Sequence, residues 1–286
     1  MGSLAAQRIA GFFLIVFAAA AAFPQQSPKQ SNSSHSLFSQ SAAEILQREY
    51  GKSEISFVLL DAGSGALLAS NWENADKPIP MGSLVKPFTA LAYAETHDFL
   101  FPTFACKGKA NRCWQNQPHG PLNLALAISV SCNAYFLQLA EAVSHENVIS
   151  VANSFDLDPP AKDATAANLI GLGDGWKIAP LRLAHAYLEL FRRKDAPGVS
   201  TILEGLRQSG LRGTGAAVDR QLKHSAALIK TGTAPCAHSH WAPADGLVMA
   251  LVPAEKPELL LFIRMHSVTG AKAAETAGLM LRDVEQ

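Results

Sequence analysis

The alternation of apolar and polar positions divides the chain into blocks of different period. Residues 41–51, SAAEILQREYG, space their apolar positions along one face of a helix; Ser41 and Glu44 match a capping box and Gly51 a stop. ISFVLL (55–60) is an apolar run of strand length, DAGSG a turn, and ALLAS (66–70) a returning strand, so a hairpin is predicted. WENADKPIP then reads as loop. From Ser83, SLVKPFTALAYAETH predicts a helix; Pro87 falls near its start, where backbone N–H groups lack partners in any case.

Residues 100–225 read mostly as helix. PLNLALAISVSCNAYFLQLAEAVS (121–144) has helical spacing interrupted around Ser131, and WKIAPLRLAHAYLELFRR (176–193) continues the pattern. HSAALIKTGTA (224–234), GLVMALVP (246–253) and LLLFIRM (259–265) predict strands, and AKAAETAGLMLRDVE (271–285) a closing helix. Strands at both ends with a helical block between them imply one sheet drawn from both chain ends, flanked by helices, plus an all-helical subdomain. The class is α/β of the α+β type, with sheet parts at 41–80 and 225–286 and the helical part at 100–225.

The N-terminus stands apart. Arg8 precedes IAGFFLIVFAAAAAF (9–23), shorter than the roughly 20 apolar residues of a spanning helix. Ala20 and Ala22 give an A-x-A ending, so residues 1–22 read as a cleaved secretory signal, with an uncleaved anchor as the alternative. PQQSPKQSNSSHSLFSQ (24–40) reads as a flexible polar linker, placing the linker at 23–40 and the folded unit at 41–286. The chain has 286 residues, 48% hydrophobic and 17% charged, enough to bury a sizeable core. Lys+Arg and Asp+Glu are 24 each, which gives no support for nucleic-acid binding or a polybasic membrane-surface role.

Export, to the periplasm or another extracytoplasmic space, permits disulfides. Cys106 and Cys113 bracket the short polar loop CKGKANRC and are positioned to close a local bridge. The metal alternative has no histidine inside that loop, His119 being the nearest, and the bridge is the favoured reading. Cys132 and Cys236 read as buried free thiols.

Three short motifs occur in order: Ser83-Leu84-Val85-Lys86, Ser131-Cys132-Asn133 and Lys230-Thr231-Gly232. Each alone is weak, and each has a bland reading as cap, helix break or strand end; together, on fitting elements of an exported chain, they carry chemistry. A serine hydroxyl needs a base to become a nucleophile. Positions i and i+3 share a helix face, which sets Lys86 beside Ser83. A second cation, Lys230, lowers the pKa of Lys86. A helix beginning at Ser83 frees its N–H to form an oxyanion hole with the N–H of Thr233. Ser131 can pass a proton to the leaving amine, and Asn133 can hold a substrate amide. Gly232 leaves room for a peptide to lie along its strand, and Lys230 with the Thr231 and Thr233 hydroxyls suits a substrate carboxylate.

These motifs resemble the S-x-x-K, S-D-N and K-T-G set of penicillin-binding proteins and class A β-lactamases. The resemblance runs from about residue 55 to the C-terminus. FVLLDAGSGALLAS is similar to the hairpin that opens the transpeptidase domain of penicillin-binding proteins. CW-x-x-x-x-HG followed by LNLALAISVSCNAYF resembles class B, elongation-type enzymes, where a paired-cysteine loop precedes the second motif. IGLGDGWKIAPLRLAHAYLEL resembles their GxG…TPLQLA stretch, with Ala179 in place of the usual Thr, and KTGTA (230–234) matches outright. The resemblance implies the β-lactamase/transpeptidase-like fold with an antiparallel sheet. It implies that Ser83 attacks the D-Ala-D-Ala bond of a peptidoglycan stem peptide and passes the acyl group to an amine or to water. β-Lactams would acylate the same serine, and no metal or organic cofactor is implied.

Departures qualify this. No glycosyltransferase or large pedestal domain is read, and Pro235 must limit the pairing of the KTGTA strand. His238 and His240 flank Ser239, where solvent-facing or partner-bonded histidines are more usual than metal ligands. The alternatives are a serine β-lactamase or a β-lactam- or peptide-binding sensor without turnover. The E-x-x-x-N pattern of class A β-lactamases is not found between Asn133 and Lys230, and Asn133 stands where class D enzymes have an apolar residue.

Overall fold

A computed structural model describes residues 36–236 and 243–285. The expected signal (1–22), most of the expected linker, and His238 and His240 lie outside the described residues. Helix α1 (Leu37–Tyr50) begins earlier than expected, with Ser36 Oγ accepting from the Ser39 N–H at 3.1 Å. The linker boundary at 40 is therefore corrected: residues 37–40 are helical and Ser41 is interior. The local sequence there looks polar, but Phe38 packs against the buried cluster beneath the helix, and that burial extends it.

The hairpin forms as expected from β1 (Ser56–Asp61) and β2 (Leu67–Ser70). Its turn is held by Asp61, whose Oδ1 accepts from Ser64 N and Oγ at 2.7 Å each, and by Gly65 at φ +79°. β3 (Ile79–Pro80) lies in the predicted loop, followed by a 3-10 turn (Gly82–Val85) and α2 (Lys86–Thr96). The inserted block holds β4 (Phe104–Cys106), β5 (Gly120–Leu122), α3 (Leu124–Ser129), α4 (Asn133–Glu141), α5 (His145–Ser154), α6 (Ala166–Leu169), β6 (Lys177–Ile178), α7 (Pro180–Arg192), α8 (Val199–Arg212) and α9 (Ala216–Asp219). β4 pairs with β5 inside the block read as mostly helical, and β3, in the predicted loop ahead of that block, pairs with β6 within it. β7 (Leu228–Ala234), β8 (Asp245–Val252), β9 (Leu259–His266) and α10 (Gly270–Glu285) complete the chain.

The main sheet has the order β2-β1-β9-β8-β7, every pair antiparallel. It joins strands from both ends of the chain, as expected. Both faces are covered, which explains why its strands read as near-continuous apolar runs. Phe57, Leu59, Val248, Ala250, Leu261 and Ile263 face α1 and α10. Their neighbours Val58, Leu60, Leu247, Met249, Leu260 and Phe262 face the helical block. The period-2 alternation thus sorts one strand set into two cores. β7 forms one edge of the sheet, and its pairing ends at Ala234, one residue before Pro235.

Candidate active site

Ser83 is not a helix cap. It lies inside the 3-10 turn, whose preceding residue Met81 makes no side-chain cap. The turn is imposed by packing: Gly82 has φ +54°, and a Cβ there would lie 2.6 Å from Thr233 O. Gly171, at φ +84°, fits so closely behind that its Cβ would collide with Gly82 O. These two glycines let the loop after α6, the Ser83 turn and strand β7 approach backbone to backbone. Gly232 takes part too, since its Cβ would meet Met81 O at 2.9 Å and Leu84 Cγ at 3.2 Å. Its bareness therefore seats the Ser83 turn on the strand, beyond the room for a peptide that the sequence pattern suggests. In a 3-10 turn residues i and i+3 align, which stacks Lys86 under Ser83. No hydrogen bond joins Ser83 Oγ to Lys86 Nζ among the described residues, because Lys86 is engaged elsewhere.

Ser131-Cys132-Asn133 is the junction of α3 and α4. The Ser131 N–H donates to Ile128 O at 3.1 Å and the Cys132 N–H to Ala127 O at 2.9 Å, a Schellman ending for α3. That ending places its closing residue in the left-handed region, and here the residue is Ser131 at φ +52° rather than glycine. Strain of about 1–2 kcal/mol is expected at such a residue. It aims the Ser131 hydroxyl back at two lysines. Cys132 then begins α4, with Asn133 as its first helical residue.

Lys86 and Lys230 are both fully buried. Lys86 Nζ donates to Asn133 Oδ1 at 2.7 Å, Ser131 O at 2.8 Å and Ser131 Oγ at 3.4 Å. Lys230 Nζ donates to Ser131 Oγ at 2.9 Å and Thr231 O at 2.8 Å. Ser131 Oγ is thus shared by two amines. Burial pulls Lys86 down to about 7, while the neighbouring thiols Cys132 and Cys113 oppose this. Burial, and then the Lys86 charge, hold Lys230 well below the ordinary lysine range. Two ammonium groups on one hydroxyl repel, so ionising one disfavours ionising the other. The expectation that Lys230 depresses Lys86 is therefore replaced: burial is the main cause at both.

A cavity of about 380 Å³ opens over this network, lined in part by Ser83, Ser131, Asn133, Thr231 and Thr233. Its lining also includes Thr214 and Trp114, to which the sequence pattern assigns no site role. Thr214 accepts a 2.6 Å hydrogen bond from Thr231 Oγ1 and sits on a loop after α8, where nothing local marks it. Trp114, half-exposed on the wall, donates its indole N–H to Val130 O at 3.2 Å. Thr233 Oγ1 accepts from Gly270 N at 2.9 Å, tying the third motif to the start of α10.

The expected Cys106–Cys113 bridge is not formed; both are free thiols. Each sulfur turns instead to His119 Nδ1, at 3.5 Å, and Cys113 Sγ lies 3.7 Å from Cys132 Sγ. Cys132 is buried as expected, and Cys236 is half-buried, 3.9 Å from His266 Nδ1.

The fold is the mixed α/β transpeptidase fold. The D,D-transpeptidase domain of a peptidoglycan glycosyltransferase from Eggerthella lenta shares it, at 16% identity and TM-score 0.65 over 86% of this chain and 81% of that one. PBP2 from Pseudomonas aeruginosa is similar at 17% identity and TM-score 0.67, over 87% and 76%. The transpeptidase domain of the FtsI4 D,D-transpeptidase from Legionella pneumophila is 18% identical at TM-score 0.62, over 88% and 98%. No curated protein matches the chain by sequence. The penicillin binding protein transpeptidase domain model matches residues 55–282, and the chain belongs to that family. Among the described residues, no helix is long and apolar enough to cross a membrane.

Proposed function

We propose that the protein is an exported acyl-serine D,D-transpeptidase or D,D-carboxypeptidase acting on D-Ala-D-Ala stem peptides of peptidoglycan, with Ser83 as nucleophile. The observation that carries this reading is Ser131 Oγ shared by the buried amines of Lys86 and Lys230 at the wall of a cavity that Ser83 also lines. A lysine pulled to about 7 is partly neutral at physiological pH, the state a base requires.

In this mechanism Ser83 Oγ gives its proton to neutral Lys86 and attacks the carbonyl carbon of the penultimate D-Ala. The backbone N–H groups of Ser83 and Thr233 stabilise the oxyanion. As the C–N bond breaks, Ser131 Oγ–H protonates the leaving amine and is reprotonated from the lysine pair. Lys230 and the Thr231–Thr214 hydroxyl pair suit the substrate's terminal carboxylate. The ester on Ser83 is then attacked by an amine, closing a cross-link, or by water. β-Lactams acylate Ser83 by the same attack, with the ring amide as the bond broken.

The test uses a synthetic pentapeptide ending in D-Ala-D-Ala. The purified protein is expected to release D-Ala, and Ser83→Ala is expected to release none. Equal release from both proteins removes Ser83 from the mechanism. Rapid hydrolysis of penicillin in place of a persistent adduct would reassign the protein as a serine β-lactamase.

A further inference from the structure

Three thiols and an imidazole converge behind the second motif. Cys106 ends β4, Cys113 follows the polar loop, His119 precedes β5, and Cys132 starts α4. Their four ligand atoms lie within 4.8 Å of one another. The three cysteines are buried, so the cluster is sealed from solvent on the sulfur side. The loop is built to fold over it: Gly108 has φ +67°, a Cβ there would collide with Asn116 O, and its N–H donates to Cys106 Sγ at 3.4 Å.

The spacings discriminate between a bridge and a metal. A disulfide needs sulfurs about 2.0 Å apart. Zinc–sulfur bonds of about 2.3 Å and zinc–nitrogen bonds of about 2.0–2.1 Å at tetrahedral angles put sulfurs about 3.8 Å apart, and sulfur and nitrogen about 3.6 Å apart. The structure has 3.7 Å for Cys113–Cys132 and 3.5 Å for each of the two sulfur–Nδ1 contacts. Any single bridge would also leave one of the three thiols over.

We propose that Cys106, Cys113, His119 Nδ1 and Cys132 form a tetrahedral zinc site that ties the β4–β5 hairpin to the α3–α4 junction. Three thiolates and a histidine are a complete set for structural zinc and leave no open position, so the metal makes or breaks no bond in the reaction. Thiolate-rich donors at tetrahedral spacing select zinc over oxygen-loving cations. The site's consequence is positional. Cys132 is the middle residue of Ser131-Cys132-Asn133, and its two neighbours hold Lys86 Nζ. Clamping Cys132 fixes the strained turn that carries both. This revises the expectation from sequence that no metal is bound.

The test is elemental analysis of the full chain purified without chelator, followed by cobalt replacement. About one zinc per chain is expected. The cobalt form should show thiolate-to-metal charge-transfer absorption and the visible bands of a tetrahedral ion. A strong chelator should lower the unfolding midpoint and make the three buried thiols reactive. Cys106→Ser and His119→Ala should lose stoichiometric zinc, while Cys236→Ser keeps it. A folded, metal-free protein with a disulfide among these cysteines would overturn the proposal, as would zinc retained in both ligand variants. If those variants fail to fold, the wild-type cobalt spectrum decides, and absence of thiolate bands overturns it. Zinc content and spectrum are read independently of acylation, so a protein that binds zinc but never acylates counts against Ser83 alone.

Discussion

Replacing Ser131 separates stability from chemistry, because one residue carries both backbone strain and a shared hydroxyl. Ser131→Ala removes the hydroxyl and keeps a Cβ at φ +52°. Ser131→Gly removes the hydroxyl and the strain together. Both lose the same hydrogen bonds, from Lys230 at 2.9 Å and Lys86 at 3.4 Å. The difference between the variants therefore isolates the left-handed conformation. It should favour glycine by about 1 kcal/mol, since glycine adopts this region freely and alanine does not. In a domain of this size that is roughly 2–4 °C in Tm. Both variants should acylate with penicillin about 100-fold or more slowly, because the proton path to the leaving amine is lost. Thermal unfolding and the rate of fluorescent-penicillin labelling give the two readouts. Equal Tm for the two variants would refute the strain. Wild-type labelling by either would refute the role of the hydroxyl.

Four further outcomes are expected. The penicillin acylation rate should rise with pH through an apparent pKa near 7, because neutral Lys86 is the base; a flat profile from pH 5 to 9 contradicts that assignment. Stability should rise over the same limb and above it: the folded state holds Lys86 neutral while the unfolded chain still binds its proton, up to about pH 10.5. Gly171→Ala should destabilise the protein by about 2–4 kcal/mol in denaturant unfolding, since a Cβ there meets the Gly82 backbone and strains a positive φ; a loss below about 0.5 kcal/mol would show the loop free to move. Tyr187→Phe should cost about 1–2 kcal/mol, because the buried hydroxyl donates to Leu84 O at 2.8 Å in the Ser83 turn, and an unchanged denaturation midpoint would contradict it.

What the sequence made legible follows from which forces are local. The hairpin from Asp61 and Gly65, the five sheet strands and the break at Ser131 all rest on short-range pattern, and all are found. The 3-10 turn at Ser83 was read as a capped helix because its cause, the backbone of Thr233 against Gly82, comes from 151 residues along the chain (233 − 82). The start of α1 was missed for a similar reason, since Phe38 is anchored by tertiary packing. β4 and β5, three residues each, are too short to show a period. The cysteine loop was read within itself, as a bridge. Its other partners, His119 and Cys132, lie on a strand flank and a helix start, and only folding brings them to the sulfurs. Thr214 joins Thr231 across the same kind of distance and leaves no sequence signal.

The central claim is that Ser83 carries the acyl group. Peptide mapping of the penicillin adduct by mass spectrometry tests it directly. One β-lactam per chain, located on the peptide containing Ser83 and absent from Ser83→Ala, is the predicted result. An adduct on any other residue, or a folded protein with no adduct at all, would contradict the account.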